Sequence, residues 1–128
     1  MILDSSAIVA IVLREPGWES LAAKLGAGPV AGVGAPTLVE TGLLLTNKMG
    51  KHGRAMVSRF LHQSGVTVVP FGEDHWRVAG EAHTKFGEGR HAAGLNFGDC
   101  LTYAVARLAG QPVLCLGDDF SKTDLDLA

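Results

Sequence analysis

Four acidic positions, far apart in the chain, each fall where one kind of secondary structure should give way to another. Asp4 follows the apolar run Met1-Ile2-Leu3 and precedes a helix from Ala7 to Arg14. Glu40 lies four residues beyond Pro36, in the first turns of a helix that follows the apolar segment Val30 to Ala35. Asp99 opens a helix, and the doublet Asp118-Asp119 follows the last apolar run, Val113 to Leu116. Hard divalent cations such as Mg²⁺ and Mn²⁺ take carboxylate and water oxygens, and one carboxylate binds them weakly against water, so several must share a site. Hydrolysis of a phosphodiester by metal-activated water is the chemistry this set suits.

Each acid also has a structural use. Asp4 could merely cap its helix, as could Ser5 or Ser6. Glu40 could close a T-x-x-E capping box with Thr37, although Pro36 at the helix start weakens that pairing. Asp99 could complement the helix dipole, and Gly117-Asp118-Asp119-Phe120 could be a turn. For all of these to be the whole story, four coincidences would have to meet at one edge of one sheet. Other chemistries lack their residues. Gly50-Lys51-His52 is no phosphate-binding P-loop, and Gly87-x-Gly89-x-x-Ala92 follows a helix rather than a strand. An aspartyl-nucleophile phosphatase needs an acid at position 6, where Ser6 stands. The histidines at 52, 62, 75, 83 and 91 make no H-x-x-x-H pair, and Cys100 and Cys115 make no C-x-x-C.

The elements that must position these acids alternate along the chain. After the Ala7 to Arg14 helix, Pro16-Gly17 breaks the chain, and Trp18 to Leu25 forms a second helix ended by the glycines at 26 and 28. Ala35-Pro36 starts a helix through Lys48, closed by Gly50, and Lys51 to Gln63 is another. Val66 to Val69 is the clearest strand. Glu73 to Phe86 carries acids in its first turn and Lys85 in its last, and Gly87 to Gly94 is a loop. Leu101, Ala104, Val105 and Leu108 mark an amphipathic helix from Phe97 to Ala109, stopped by Gly110. Alternating strands and helices, with near-continuous apolar strands, predict an α/β fold: a central parallel sheet of about four or five short strands with helices on both faces. In such sheets sites form beyond the carboxyl ends of the strands, where the strand order reverses. At 128 residues the chain holds one domain, 1–128.

Four blocks resemble, in order and spacing, the PIN-domain ribonuclease toxins of the VapC family. They are Met1-Ile2-Leu3-Asp4-Ser5-Ser6-Ala7, Thr37-Leu38-Val39-Glu40, Asn96-Phe97-Gly98-Asp99-Cys100-Leu101-Thr102-Tyr103-Ala104, and Leu116-Gly117-Asp118-Asp119-Phe120-Ser121-Lys122-Thr123-Asp124. The resemblance implies a PIN-like three-layer sandwich and a Mg²⁺-dependent endoribonuclease, with Mn²⁺ able to substitute, acting as the toxin of a VapBC-type toxin–antitoxin pair. It also implies catalytic roles for Asp4, Glu40, Asp99 and one of Asp118 or Asp119. Asp4 and Asp99 are the expected principal metal ligands, and Glu40 is expected to tune the site or position the attacking water. Ser6 matches the family's small hydroxyl beside the first aspartate. Between the paired acids, strand alternation favours Asp118 as the one facing the site, with Asp119 capping a short turn through Lys122 and Thr123. A VapB-type antitoxin is the implied partner, inserting an Arg or Lys among the carboxylates, and a homodimer within a larger complex is expected.

Composition narrows the partners. Eleven Lys and Arg against thirteen Asp and Glu give no uniform positive field, so contact with nucleic acid must be local. Lys48, Lys51, Arg54, Arg59, Lys85 and Arg90 are the cations available for RNA phosphates, unless they form an ordinary solvated face. Single-stranded or loop RNA is the favoured substrate, since an A-form duplex hides its base edges. Trp18 and Trp76 read as core or interface residues. No apolar run approaches the ~18 residues of a membrane span, and no basic segment precedes an apolar stretch, so no signal peptide is expected. A reduced cytoplasmic setting fits the two cysteines. The rival readings are a catalytically weak PIN-like module that binds RNA or protein, and another Mg²⁺ hydrolase on a doubly wound fold.

Overall fold

The computed structural model describes residues 1–28 and 30–128. Its elements are β1 (Ile2–Leu3), α1 (Ser5–Leu13), α2 (Trp18–Ala27), β2 (Gly32–Gly34), α3 (Ala35–Met49), α4 (Gly53–Ser64), β3 (Thr67–Val69), α5 (Glu73–Phe86), α6 (Phe97–Ala109) and β4 (Val113–Leu114), with single 3₁₀ turns at Gly50–His52 and Phe120–Lys122. All strand pairs are parallel, in the order β3-β2-β1-β4.

The three layers follow from the pleat of the shortest strands. Ile2 pairs with Val113 and Leu3 with Leu114, and successive side chains of a strand point to opposite faces. Ile2 and Val113 accordingly enter one core with Leu95, Tyr103, Val105 and Phe120. Leu3 and Leu114 enter the other with Ala7, Ile8, Leu21 and Phe60. Helices α5 and α6 therefore cover one face, and α1, α2 and α4 the other. Close approach of α6 to the sheet depends on Gly34, where a Cβ would stand 2.9 Å from Val105 Cγ2.

Strand β1 lies between β2 and β4, so the chain moves one way through β2 and β3 and then returns to the other side of β1. That reversal opens a crevice at the carboxyl ends of β1 and β4. Asp4 directly follows β1, and the Asp118-Asp119 doublet comes four residues after β4.

Several boundaries differ from the sequence reading. Helix α2 continues through Gly26 and Ala27, because one helical glycine costs only about 1 kcal/mol relative to alanine and need not stop a helix. The expected Lys51 to Gln63 helix opens with the 3₁₀ turn and becomes α-helical at Gly53. Strand β4 ends at Leu114 rather than Leu116, since the Leu116 N–H donates to the Ser6 side chain at 3.0 Å instead of to a neighbouring strand. The stripe on α6 is displaced as well: Tyr103, Ala104, Val105 and Ala106 are buried, whereas Leu108 is exposed. Trp76 is 70% exposed and is no part of the core. Both cysteines are free. Among the described residues no helix is long and apolar enough to cross a membrane.

Candidate active site

Asp4 is the N-cap of α1, with its Oδ2 accepting from the Ser6 N–H at 3.1 Å and from Ser6 Oγ at 2.6 Å. Oδ1 accepts from Thr102 Oγ1 at 2.8 Å. With the Thr102 proton committed to Asp4, the neighbouring Thr37 hydroxyl, 3.5 Å away, is the donor to Thr102. Thr37 and Thr102 are both fully buried, so a hydroxyl relay from α3 through α6 fixes the rotamer of an acid on α1. Ser6 Oγ in turn accepts from Leu116 N–H and ties the end of β1 to the segment after β4. Capping and site placement are thus the same geometry for Asp4, not alternatives.

Asp99 is also held by a cap. Its N–H donates to Asn96 Oδ1 at 2.8 Å, and its Oδ2 accepts from the Asn96 N–H at 3.1 Å, a reciprocal capping box that sets the carboxyl at the start of α6. Burial pushes the Asp99 carboxyl up to about 6. The Asn96 hydrogen bond opposes that shift, and the charges of Asp4, Asp119 and Glu40 add to it.

Glu40 is not in a capping box, because α3 starts from Gly34 with no side-chain cap and Pro36 lies in its first turn. Its carboxyl rests against Gly98, where any Cβ would overlap it. Oε1 is buried without a hydrogen-bond partner. Burial raises the Glu40 carboxyl above the usual range, Ser5 lowers it by hydrogen bonding, and the Asp4 charge raises it further.

The doublet is placed in the reverse of the expected arrangement. Asp119 lines the same cavity as Asp4, Glu40 and Asp99. Asp118 builds the turn: its carbonyl accepts from the Ser121 N–H and Oγ, and its carboxylate lies 3.9 Å from Lys122 Nζ. Asp119 makes no side-chain cap bond. Strand alternation fails as a guide here because β4 has already ended at Leu114 and Gly117 turns the chain at φ +93°. Asp119→Asn should therefore reduce activity with little change in melting temperature, and Asp118→Asn should leave activity near wild type. Melting curves and single-turnover assays of both variants check this.

The cavity holds about 400 Å³. Its wall adds two residues of opposite charge, Glu15 and Lys48, joined at 3.4 Å. Glu15 carried no sequence signal, since it reaches the cavity only because Arg14 ends α1 in the left-handed conformation, φ 52°. Thr37 and Thr102 had one: each lies three residues from a site acid, Glu40 and Asp99, a spacing that places helical neighbours together. Of the six cations singled out from the sequence, Lys48 is the one on this wall.

Among the described residues, no group of three carboxylates, imidazoles or thiolates is set to hold a metal ion by itself. The donor set nevertheless suits a hard cation that keeps several of its waters, as Mg²⁺ does. Carboxyls of Asp4, Glu40, Asp99 and Asp119 face one cavity, two of them are raised in part by the others' charges, and Glu40 Oε1 is a buried oxygen with no partner.

These shifts have a consequence for stability. Protonated Asp99 is favoured by the folded chain over the unfolded one between 3.8 and about 6. Its contribution is fully present below the lower value and is lost as pH rises through the upper one; Glu40 acts in the same direction. Without divalent cation, the melting temperature of wild type should fall relative to that of Asp99→Asn as pH rises from 4.5 to 7. Parallel thermal melts across that range check the sign.

A family model of the PIN domain matches residues 1–125. A VapC ribonuclease of Mycobacterium bovis is 42% identical over 127 residues, spanning 98% of this chain and 91% of the relative. A ribonuclease VapC of Mycolicibacterium smegmatis is 37% identical, spanning 98% and 97%. Among solved structures, Mycobacterium tuberculosis VapC20, described as a sarcin-ricin loop cleaving toxin, superposes with a TM-score of 0.79 at 22% identity, over 99% of this chain and 97% of that one. The VapBC2 structure from Rickettsia felis, bound to a promoter DNA fragment, gives 0.75 at 14% identity, over 99% and 96%. The last two speak to the fold alone. By a match that runs through nearly its whole length, and by relatives of its own size, this chain belongs to the PIN-domain family, among the VapC ribonucleases.

Proposed function

We propose that this chain is a Mg²⁺-dependent endoribonuclease, with Mn²⁺ able to substitute, and that it is the toxin of a VapBC-type pair. The observation that carries this reading is the buried, unpartnered Glu40 Oε1 in a cavity shared with Asp4, Asp99 and Asp119. Mutual repulsion of acids in one cavity disfavours their ionisation, and a divalent cation relieves it. Asp4 and Asp99 would hold the cation, because each already has one oxygen fixed by a cap. When bound, Mg²⁺ would supply charge neutralisation at the scissile phosphate and a more acidic water.

The remaining work falls to the chain. Glu40, with its raised proton affinity and its free oxygen, is suited to accept a proton from the attacking water and hold it in place. Asp119 adds a further carboxyl to the same cavity. Lys48, half-exposed and paired with Glu15, offers the cavity's positive contact to a neighbouring phosphate. Thr102, Thr37 and Ser6 keep Asp4 in one rotamer. An acidic cavity of this kind is also open to an arginine, whose planar fork matches carboxylates; a VapB-type antitoxin that inserts one would silence the enzyme. The R. felis neighbour of the same fold is itself a VapBC complex. A homodimer within that complex, and a cytoplasmic setting, complete the proposal.

Incubating the purified chain with a single-stranded RNA pool, with Mg²⁺ or with EDTA, and sequencing the new 5′ ends tests the reading. Cleavage at a restricted set of sites, abolished by EDTA, is expected. Binding without cleavage in Mg²⁺ and Mn²⁺ would instead favour a PIN-like binding module. Adding co-purified antitoxin should suppress the cleavage, and undiminished cleavage in the complex would refute the inhibitory role.

A further inference from the structure

A second cavity of about 550 Å³ lies between α5 and α6 and meets the acidic one at Asn96, which lines both. Phe71, Trp76 and Phe97 give it aromatic walls, and His83, Glu88 and Asn96 give it polar groups. Trp76 is 70% exposed and Phe97 80%, so two large rings stand in solvent, one of them two residues before Asp99. We infer that this groove is a nucleobase subsite, holding a base of single-stranded RNA next to the phosphate positioned at Asp4, Glu40, Asp99 and Asp119.

This inference rests on the ribonuclease reading and assigns its substrate contact. Aromatic faces stack any base, and polar groups at the margin can address its hydrogen-bonding edge. No lysine or arginine lines the groove, so its chemistry suits a base and not a phosphate; the cation, Lys48, is on the acidic wall. Because Asn96 lines both cavities, a strand with its phosphate in the acidic one can place the neighbouring base in the groove. The platform is also rigid where it matters. Phe97 is the first residue of α6, directly after the Asn96 cap that binds Asp99. One capping box therefore fixes the acid and the backbone that carries the adjacent ring. Beneath them, Phe86 of α5 packs on Tyr103 of α6 with ring centroids 5.8 Å apart, and the Tyr103 hydroxyl donates to Asp124 at 2.7 Å.

The test uses the full chain carrying Trp18→Phe, which leaves Trp76 as the one tryptophan. The probe is a fluorescein-labelled, randomised single-stranded RNA hexamer in EDTA, where the proposed metal-dependent cleavage does not run, compared with an abasic hexamer of equal charge. Anisotropy reports binding, and unlabelled hexamers report Trp76 quenching. The expected result is quenching by the base-bearing hexamer only, and binding weakened about fivefold or more by Phe97→Ala, the low end of one stacked base. Binding with no quenching, or equal affinity for the abasic hexamer, would overturn the subsite. So would a Trp76→Ala variant that loses self-association in sedimentation while keeping its hexamer affinity, since the groove would then be a contact between copies. If wild type cleaves RNA while quenching is absent, only the subsite fails. If it neither cleaves RNA nor binds the hexamer, the ribonuclease reading fails with it.

Discussion

Replacing Asp4 with asparagine should lower RNA cleavage by about 100-fold or more, the range seen when one preorganised electrostatic group is removed from a site, while folding is nearly unaffected. Asparagine caps helices as well as aspartate does, and its side-chain oxygen can still accept from Ser6 or from Thr102. What disappears is the charge, at a position only 5% exposed. Thr102→Val is the complementary change. It keeps the Asp4 charge but strips Oδ1 of its buried donor, so stability should fall by about 1–3 kcal/mol. Single-turnover cleavage and denaturant melts of the two variants separate charge from positioning. Near-wild-type cleavage by Asp4→Asn would remove Asp4 from the chemistry.

The second large effect is expected at Gly98, through the residue it faces. A glycine-to-alanine change in a helical turn ordinarily helps or costs little, within about 1 kcal/mol. Here the new Cβ would overlap the carboxyl of Glu40. That carboxyl is the far end of a flexible side chain, so it can move, and the fold should survive with a nearly unchanged melting temperature. Activity should not: displacing a reacting group by about 1 Å can cost on the order of 100-fold. Shortening the acid in Gly98→Ala/Glu40→Asp should recover part of the loss. Full activity in Gly98→Ala, or no recovery in the double variant, would separate Gly98 from Glu40.

The sequence showed the sheet and the longer helices well, and the reason is visible in them. Helices α5 and α6 begin and end where read, because their limits are marked by local signals: acids and Lys85 on α5, Asn96 and Gly110 on α6. Strands of two and three residues were harder. β4 reads as four apolar residues, but a single serine hydroxyl takes the N–H that would have extended the pairing. The same shortening reversed the placement of Asp118 and Asp119, since a pleat argument has no force past the end of the strand. Asp4, Glu40 and Asp99 were legible as an assembly because each lies just beyond a strand or at a helix start, positions that parallel topology gathers at one edge. Glu15 was not, and Thr102 was legible only as a helical neighbour of Asp99, three residues on. Thr102 acts across 98 residues of sequence, and Glu15 depends on one left-handed residue at the end of α1.

As proposed above, Asp4 and Asp99 would hold a divalent cation in the cavity they share with Glu40 and Asp119. Calorimetric titration of Mn²⁺ into wild type, Asp4→Asn, Asp99→Asn and Asp118→Asn measures it directly. A saturable site is expected in wild type and in Asp118→Asn, weakened about tenfold or more in Asp4→Asn and Asp99→Asn, as loss of a ligand charge demands. Wild-type affinity in Asp4→Asn and Asp99→Asn would contradict the claim.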